Sequence, residues 1–282
     1  MERGTTPVDP VLRLSALLLL VHLLGSDPLL GPVELLFVLA GLALTWPLST
    51  GWFWGGAFVF LSFHLFGGLA ALDNHFFLSA YWVLVLALSH LLPESEREEV
   101  RAHNGRLLVG LCMLFATAWK LIAPDYVDGS FLELTLFGDS RFHDLARVAG
   151  GVDGEVVART RTALQALRNP FLLPAEYAVT LGITPRVGVL ARLFTWGGVG
   201  FEALLAAAFL VPSDTRLGRA RHWALMLFCA TVYSALPIVG FGVLLLIMGY
   251  AQCRPEERRT RWAYLGTMAL VELYGVPYLS LL

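Results

Sequence analysis

The chain has 282 residues, 57% of them hydrophobic and 15% charged, with a formal net charge of −2. A soluble domain averages roughly 25% charged residues, and the mean hydropathy here is +0.67. This balance excludes an ordinary soluble enzyme and, lacking a basic excess, a nucleic-acid binder.

Apolar runs recur from end to end with lengths that match a hydrocarbon core of about 30 Å. The strict alternation of a transmembrane β-barrel is absent. The expected fold is therefore all-α: a polytopic helical membrane bundle forming one transmembrane domain. Nine spans are expected, near 11–25, 31–48, 52–72, 74–92, 107–123, 187–211, 222–236, 238–250 and 262–281. The first is short, but no small-residue cleavage site follows it, so it reads as an uncleaved anchor. The seventh and eighth are also short and flank Pro237. Trp46, Trp52, Trp54 and Trp262 lie near predicted ends, as an aromatic belt requires.

Orientation follows from arginine in the short loops. Residues 93–106, 212–221 and 251–261 carry Arg97, Arg101 and Arg106, then Arg216, Arg219 and Arg221, then Arg254, Arg258, Arg259 and Arg261. With these loops and the N-terminus inside, an odd number of spans brings the C-terminus outside. Multi-pass placement in a cell membrane, with a bacterial inner membrane as the expected site, follows.

Residues 124–186 form an extracytoplasmic loop. Residues 140–149 place Phe142, Leu145, Ala146 and Ala149 on one face and stop at Gly150-Gly151; a second helix fits 154–168, with Asp153 as N-cap and Asn169-Pro170 as its stop. Both are amphipathic and are expected along the outer surface, over the mouth of any site there.

The informative residues in such a chain are ionisable groups at membrane depth, each costing about 2.5–3.5 kcal/mol or more at mid-bilayer. Here they are His64, Asp73-Asn74-His75, Lys120, Glu202 and Glu272. Lys120 is the only lysine, the other 19 of the 20 Lys and Arg residues being arginine. An ammonium can lose its proton when desolvated, whereas a guanidinium cannot, so a lone lysine points to proton loss or to a compact charge. A snorkelling anchor is the plainer alternative. Glu202, mid-helix, needs a partner or a wet cavity; Lys120, His64 and Arg192 are all available. Helix capping by Asp73 and Asn74, an interfacial His75 bonded to backbone, and interhelical hydrogen bonding by His64, Glu202 and Glu272 are the alternatives. Gly240, Gly242 and Gly249 read as close packing of small residues. The three cysteines, Cys112, Cys229 and Cys253, form neither a CxxC pair nor a disulfide framework. The histidines lack metal-ligand spacing, so no metal is expected.

Two stretches carry a family resemblance. Asp73-Asn74-His75-Phe76-Phe77-Leu78 resembles the Asn-Asn-His-x-Tyr-Leu segment of vitamin K-dependent γ-glutamyl carboxylases and their bacterial relatives, the horizontally transferred transmembrane (HTTM) family. Lys120-Leu121, followed by Asp125-Tyr126-Val127-Asp128-Gly129, resembles that family's Lys-Leu, spacer, Asp-Trp-Val/Leu and acidic-Gly segment. The likeness implies a base at Lys120 acting on a reduced quinone of the vitamin K hydroquinone type, with His75 assisting and Asn74 beside it. On that reading Asp73, His64, Glu202 and Trp119 line the substrate site, and the activity is carboxylase- or epoxidase-like. Trp119 stands where the carboxylases have a second lysine, and the spacer before Asp125 is one residue longer. The large extracytoplasmic domain of the carboxylases has no counterpart in these 282 residues, so carboxylation of a propeptide-bearing protein is not expected. DoxX-type membrane proteins share a similar Lys-Leu-x-x-Pro pattern.

Two readings of function therefore stand. One is an enzyme performing base chemistry on a quinol-like or other lipid-soluble small molecule at the outer leaflet. The other is a non-catalytic, DoxX-like membrane subunit or lipid-binding scaffold in which Lys120 and Glu202 form a structural ion pair. A transporter comes third, since internal repeats are not evident. Membrane lipid is the expected surrounding partner in every case.

Overall fold

The computed structural model describes residues 9–23, 39, 47–68, 74–139, 142–167, 184–236 and 238–274. Among these residues it is helical throughout, with no strand. The expected span 31–48 falls almost wholly outside the described residues, as do Asp73 and Pro237. The chain divides into two compact units, residues 1–112, 205–233 and 238–282 in one, and 113–204 with 234–237 in the other.

The first unit opens with α1, Pro10–Leu18, which continues as a π-helical turn over Leu19–Leu23. Asp9 caps α1 by accepting the Val11 N–H at 2.9 Å, and Pro10 occupies the first turn, where no amide donor is needed. Next come α2, Gly51–Gly68, and α3, Asn74–Ser89, packed side by side. The fourth helix, α4, runs over Glu94–Ile122 and is shared between the units. Its first turns were expected to be an inner loop. They are helical because Glu94 and Glu96 favour the positive end of a helix dipole and nothing between residues 94 and 106 breaks the turn.

The arginines of that stretch therefore sit on a helix and seal neighbouring helix ends. Arg97 donates to the carbonyls of Leu92 and His90 just past α3, at 3.0 and 3.4 Å. Arg101 pairs with Asp9 at 3.0 Å. Arg106 donates to the carbonyls of Phe209 and Val211 at 2.7 and 2.6 Å and to Ser213 Oγ at 2.9 Å. A cation at the last carbonyls of a helix satisfies acceptors that the helix itself leaves unpaired.

Three further helices complete this unit: α10, Arg216–Ala235; α11, Val239–Tyr250; and α12, Arg258–Tyr274 (α5 to α9 follow below). Along α11 most side chains are buried, because it packs against α1, α3 and α12. Its glycines make that approach: a Cβ on Gly242 would fall 2.7 Å from the Tyr233 ring, and one on Gly249 would fall 2.5 Å from the Tyr264 hydroxyl. Close packing of small residues, as expected, accounts for both. Buried indoles find acceptors here, Trp82 on Ser15 Oγ at 3.0 Å and Trp54 on the Leu48 carbonyl at 2.8 Å.

The second unit holds the end of α4, then α5, Pro124–Val127; α6, Ser130–Gly138; α7, His143–Val148; α8, Gly154–Ala166; and most of α9, Pro185–Leu210. The two amphipathic helices of the expected outer loop are present as α7 and α8. Asp153 caps α8 by accepting the Glu155 N–H at 2.7 Å, and α7 stops at Gly150-Gly151, where Gly151 takes φ 65°. The apolar faces of α7 and α8 do not lie bare. They join α6 and the start of α9 in a small core of Leu136, Phe137, Phe142, Ala146, Val157, Val187 and Ala191. Residues 168–183 of the loop lie outside the described residues.

Among the described residues, α4 and α9 are long and apolar enough to cross a membrane. Their 29 and 26 residues rise about 44 and 39 Å at 1.5 Å per residue. Only 28% and 33% of their apolar stretches is buried within the protein. The apolar helices at 10–21, 51–63, 75–89 and 239–250 are shorter.

Candidate functional site

In the second unit Glu202 and Tyr126 come together at Lys120. It lies in the last turn of α4, where a cation meets the negative end of the helix dipole. Its Nζ donates to Glu202 Oε1 on α9, a pairing that spans 82 residues of sequence. The two side chains retain 23% and 12% of their exposure, so the pair is largely withdrawn from solvent. Of the three partners open to Glu202 from sequence, the structure selects Lys120; Arg192 is exposed, and the side chain of His64 is outside the described residues.

Tyr126 completes the group. Pro124 starts α5 immediately after α4, and the short helix turns the Tyr126 ring to within 5.2 Å of Lys120 Nζ, a cation–π distance. Gly129, at φ 91°, then permits the reversal into α6 that a side chain would strain. Asp128 Oδ1 fastens the reversal by accepting the Ser130 N–H at 2.8 Å, and that bond holds the Asp128 carboxyl below its usual value. On the α9 side the Tyr126 hydroxyl approaches Gly198, where a Cβ would stand 3.8 Å from it, an ordinary van der Waals contact. Burial pushes the Tyr126 phenol above its usual value, with the Lys120 charge opposing and Glu202 adding to the rise.

Two acceptors here are not used up. Glu202 Oε2 and Thr195 Oγ1 are buried and make no hydrogen bond among the described residues. They are seven residues apart on α9, two turns, and so share a helix face with Gly198. A buried carboxylate oxygen without a donor costs about 1–3 kcal/mol or more. Chemically the group offers a cation, a carboxylate with one committed and one uncommitted oxygen, and a phenol, in a setting partly withdrawn from solvent.

The remaining expected site residues divide as follows. His75 and Asn74 begin α3 in the other unit. The His75 ring stacks on Phe76 at 4.6 Å and faces Phe241 at 6.3 Å, and its carbonyl accepts from Ser79 Oγ at 2.7 Å. The Asn74 side chain, like Asp73, lies outside the described residues. Trp119 is 74% exposed beside Lys120, and Glu272 is exposed on α12. Tyr126 and Thr195 received no role from sequence. The signal available was the spacing Thr195, Gly198 and Glu202, which repeats on one helical face. No cluster of three or more His, Cys, Asp or Glu suited to a metal occurs among the described residues. Comparison with protein-family models, with curated proteins and with solved structures finds no match.

Proposed function

We propose that this chain is a multi-span membrane protein, nine spans with its N-terminus inside, that uses Lys120 and Glu202 to take a proton from a lipid-soluble hydroxyl compound of the quinol type. The single observation that carries the reading is the withdrawn Lys120–Glu202 pair with a buried, uncommitted Glu202 Oε2. The exposed apolar surface of α4 and α9 supports membrane burial, since a soluble core helix would be mostly covered.

Glu202 Oε2 is an acceptor for the substrate hydroxyl. As the hydroxyl proton passes to Oε2, the desolvated pair's own proton moves from Oε1 to the neutral Lys120 amine, and the ammonium so formed offsets the negative charge left on the substrate oxygen. The pair thus divides the work: Glu202 accepts the hydroxyl and relays the charge, and Lys120 is the base that gains the proton and, as the cation, stabilises the product. The family resemblance of the Asp73–Leu78 and Lys120–Gly129 segments points to the same chemistry and to a reduced quinone as the substrate, with Asn74 and His75 contributing beyond the pair. A bacterial inner membrane supplies such compounds. The reaction that follows proton loss, carboxylase- or epoxidase-like in the resembling family, is part of the proposal only through that likeness.

The closed geometry of the pair also favours a second reading, a non-catalytic scaffold in which the ion pair joins α4 to α9. Titration of the detergent-purified protein with menadiol, followed by quenching of tryptophan fluorescence, separates the two. The proposal expects saturable quenching that Glu202→Leu weakens at least tenfold. Quenching that is linear and identical in wild type and variant leaves the scaffold.

A further inference from the structure

A polar cavity of about 390 Å³ belongs to the first unit, at the start of α10 and the turn between α11 and α12. Arg219, Arg221 and Arg254 line it against one carboxylate, Glu257. That carboxylate is partly engaged, its Oε2 accepting the Arg254 backbone N–H at 2.8 Å. Arg221 is held in place: its Nε donates to Gln252 Oε1 at 3.2 Å and its Nη1 to the Gly218 carbonyl at 2.8 Å. A fourth guanidinium, Arg106, stands at the rim on Ser213 Oγ. Three guanidiniums against the single Glu257 carboxylate leave the lining with an excess of positive charge, and burial and the Arg106 charge press the Arg221 guanidinium below its usual value while Glu257 opposes them. Ser213 and Thr260 add hydroxyls, and Trp223 is 59% exposed at the same edge.

We infer that this cavity binds a phosphate group, in the form of the headgroup of an anionic membrane lipid. Planar guanidiniums suit phosphate oxygens in paired hydrogen bonds, which a scatter of solvated lysines would not provide. Three features favour a lipid over a free phosphate. The arginines belong to the loops that sequence places on the inner face of a membrane, where anionic lipids concentrate. Exposed Trp223 is the residue type that settles at the headgroup level. The cavity also stands at the N-terminal end of α10, whose later residues are apolar.

The test uses the full chain in dodecyl maltoside, with dioctanoyl phosphatidic acid, dioctanoyl phosphatidylcholine and inorganic phosphate as separate probes, each followed by tryptophan fluorescence and by the shift in melting temperature. Phosphatidic acid is expected to bind at least tenfold more tightly than phosphatidylcholine, and the Arg219→Gln, Arg254→Gln double variant is expected to lose at least tenfold. Both arginines are exposed, so the variant should melt with wild type when no probe is present. Inorganic phosphate that binds as tightly as phosphatidic acid, and is lost in the same variant, upholds a phosphate site but overturns its assignment to lipid. Equal binding of the two lipids, or unchanged binding in the variant, overturns the inference altogether.

Discussion

Lys120 reaches across 82 residues of sequence to donate to Glu202, and the carboxylate oxygen it leaves is buried without a hydrogen bond among the described residues. Withdrawing two charges from water is expensive, and their attraction repays it only when both are present. Glu202→Gln is therefore expected to destabilise the protein by about 2–3 kcal/mol, below the range for fully buried pairs because Lys120 keeps 23% of its exposure. The Lys120→Met, Glu202→Leu double variant should recover most of the loss. Thermal melting in one detergent checks both; a double variant that sums the two single losses would show the pair to be energetically idle.

Gly249→Ala tests the packing of the first unit. The added methyl meets the Tyr264 hydroxyl, which His222 Nδ1 engages at 2.9 Å, so the ring cannot move without breaking that bond. Overpacking of this kind costs about 1–3 kcal/mol. A melting temperature equal to that of wild type would mean that α11 and α12 separate more easily than their contact suggests.

Cys253 is expected to be inert. Burial pushes its thiol up to about 12 from an ordinary 9.0. Because the folded value is raised, thiolate forms only as pH climbs toward that value, and near pH 8 it is about a thousandfold scarcer than at an ordinary cysteine. Peptide mapping after maleimide treatment should find Cys253 modified in denatured protein and untouched in native protein. Native labelling at the rate of an exposed thiol would contradict the burial.

Topology is open to direct labelling. Single cysteines placed at exposed positions within 94–106 and 254–259 should be shielded from an impermeant thiol reagent in intact cells, whereas those on α8 should react. Labelling from outside within 94–106 would overturn the nine-span arrangement.

The helical character was legible because it rests on composition and on short-range pattern. The extent of α4 was not: Glu94–Arg106 is highly charged, so a hydropathy reading ends the helix where the apolar run ends, although its acidic first turn is a helix-start signal. The helix α6 escaped for a related reason, since nine residues after a reversal at Gly129 show too little periodicity to register. At the site, Lys120 and Glu202 were visible singly because ionisable groups are conspicuous among apolar ones. Their pairing was one of several options, because no local rule chooses among partners 82 residues apart. Tyr126 was quoted within a motif, but its place above the ammonium depends on Pro124 starting a new helix at once, which only the folded chain reveals.

The most direct measurement of the central claim is the rate at which purified protein accelerates oxidation of menadiol by dissolved oxygen, a reaction that runs faster from the deprotonated diol. General-base assistance is worth about 10²–10⁴ in rate. Arginine keeps the charge beside Glu202 but cannot give up its proton. The account predicts that wild type accelerates the reaction, and that Lys120→Arg, at matched expression and melting temperature, falls to about 1% of that acceleration or less. Full acceleration by Lys120→Arg would contradict proton abstraction at Lys120 and leave the pair a structural tie between α4 and α9.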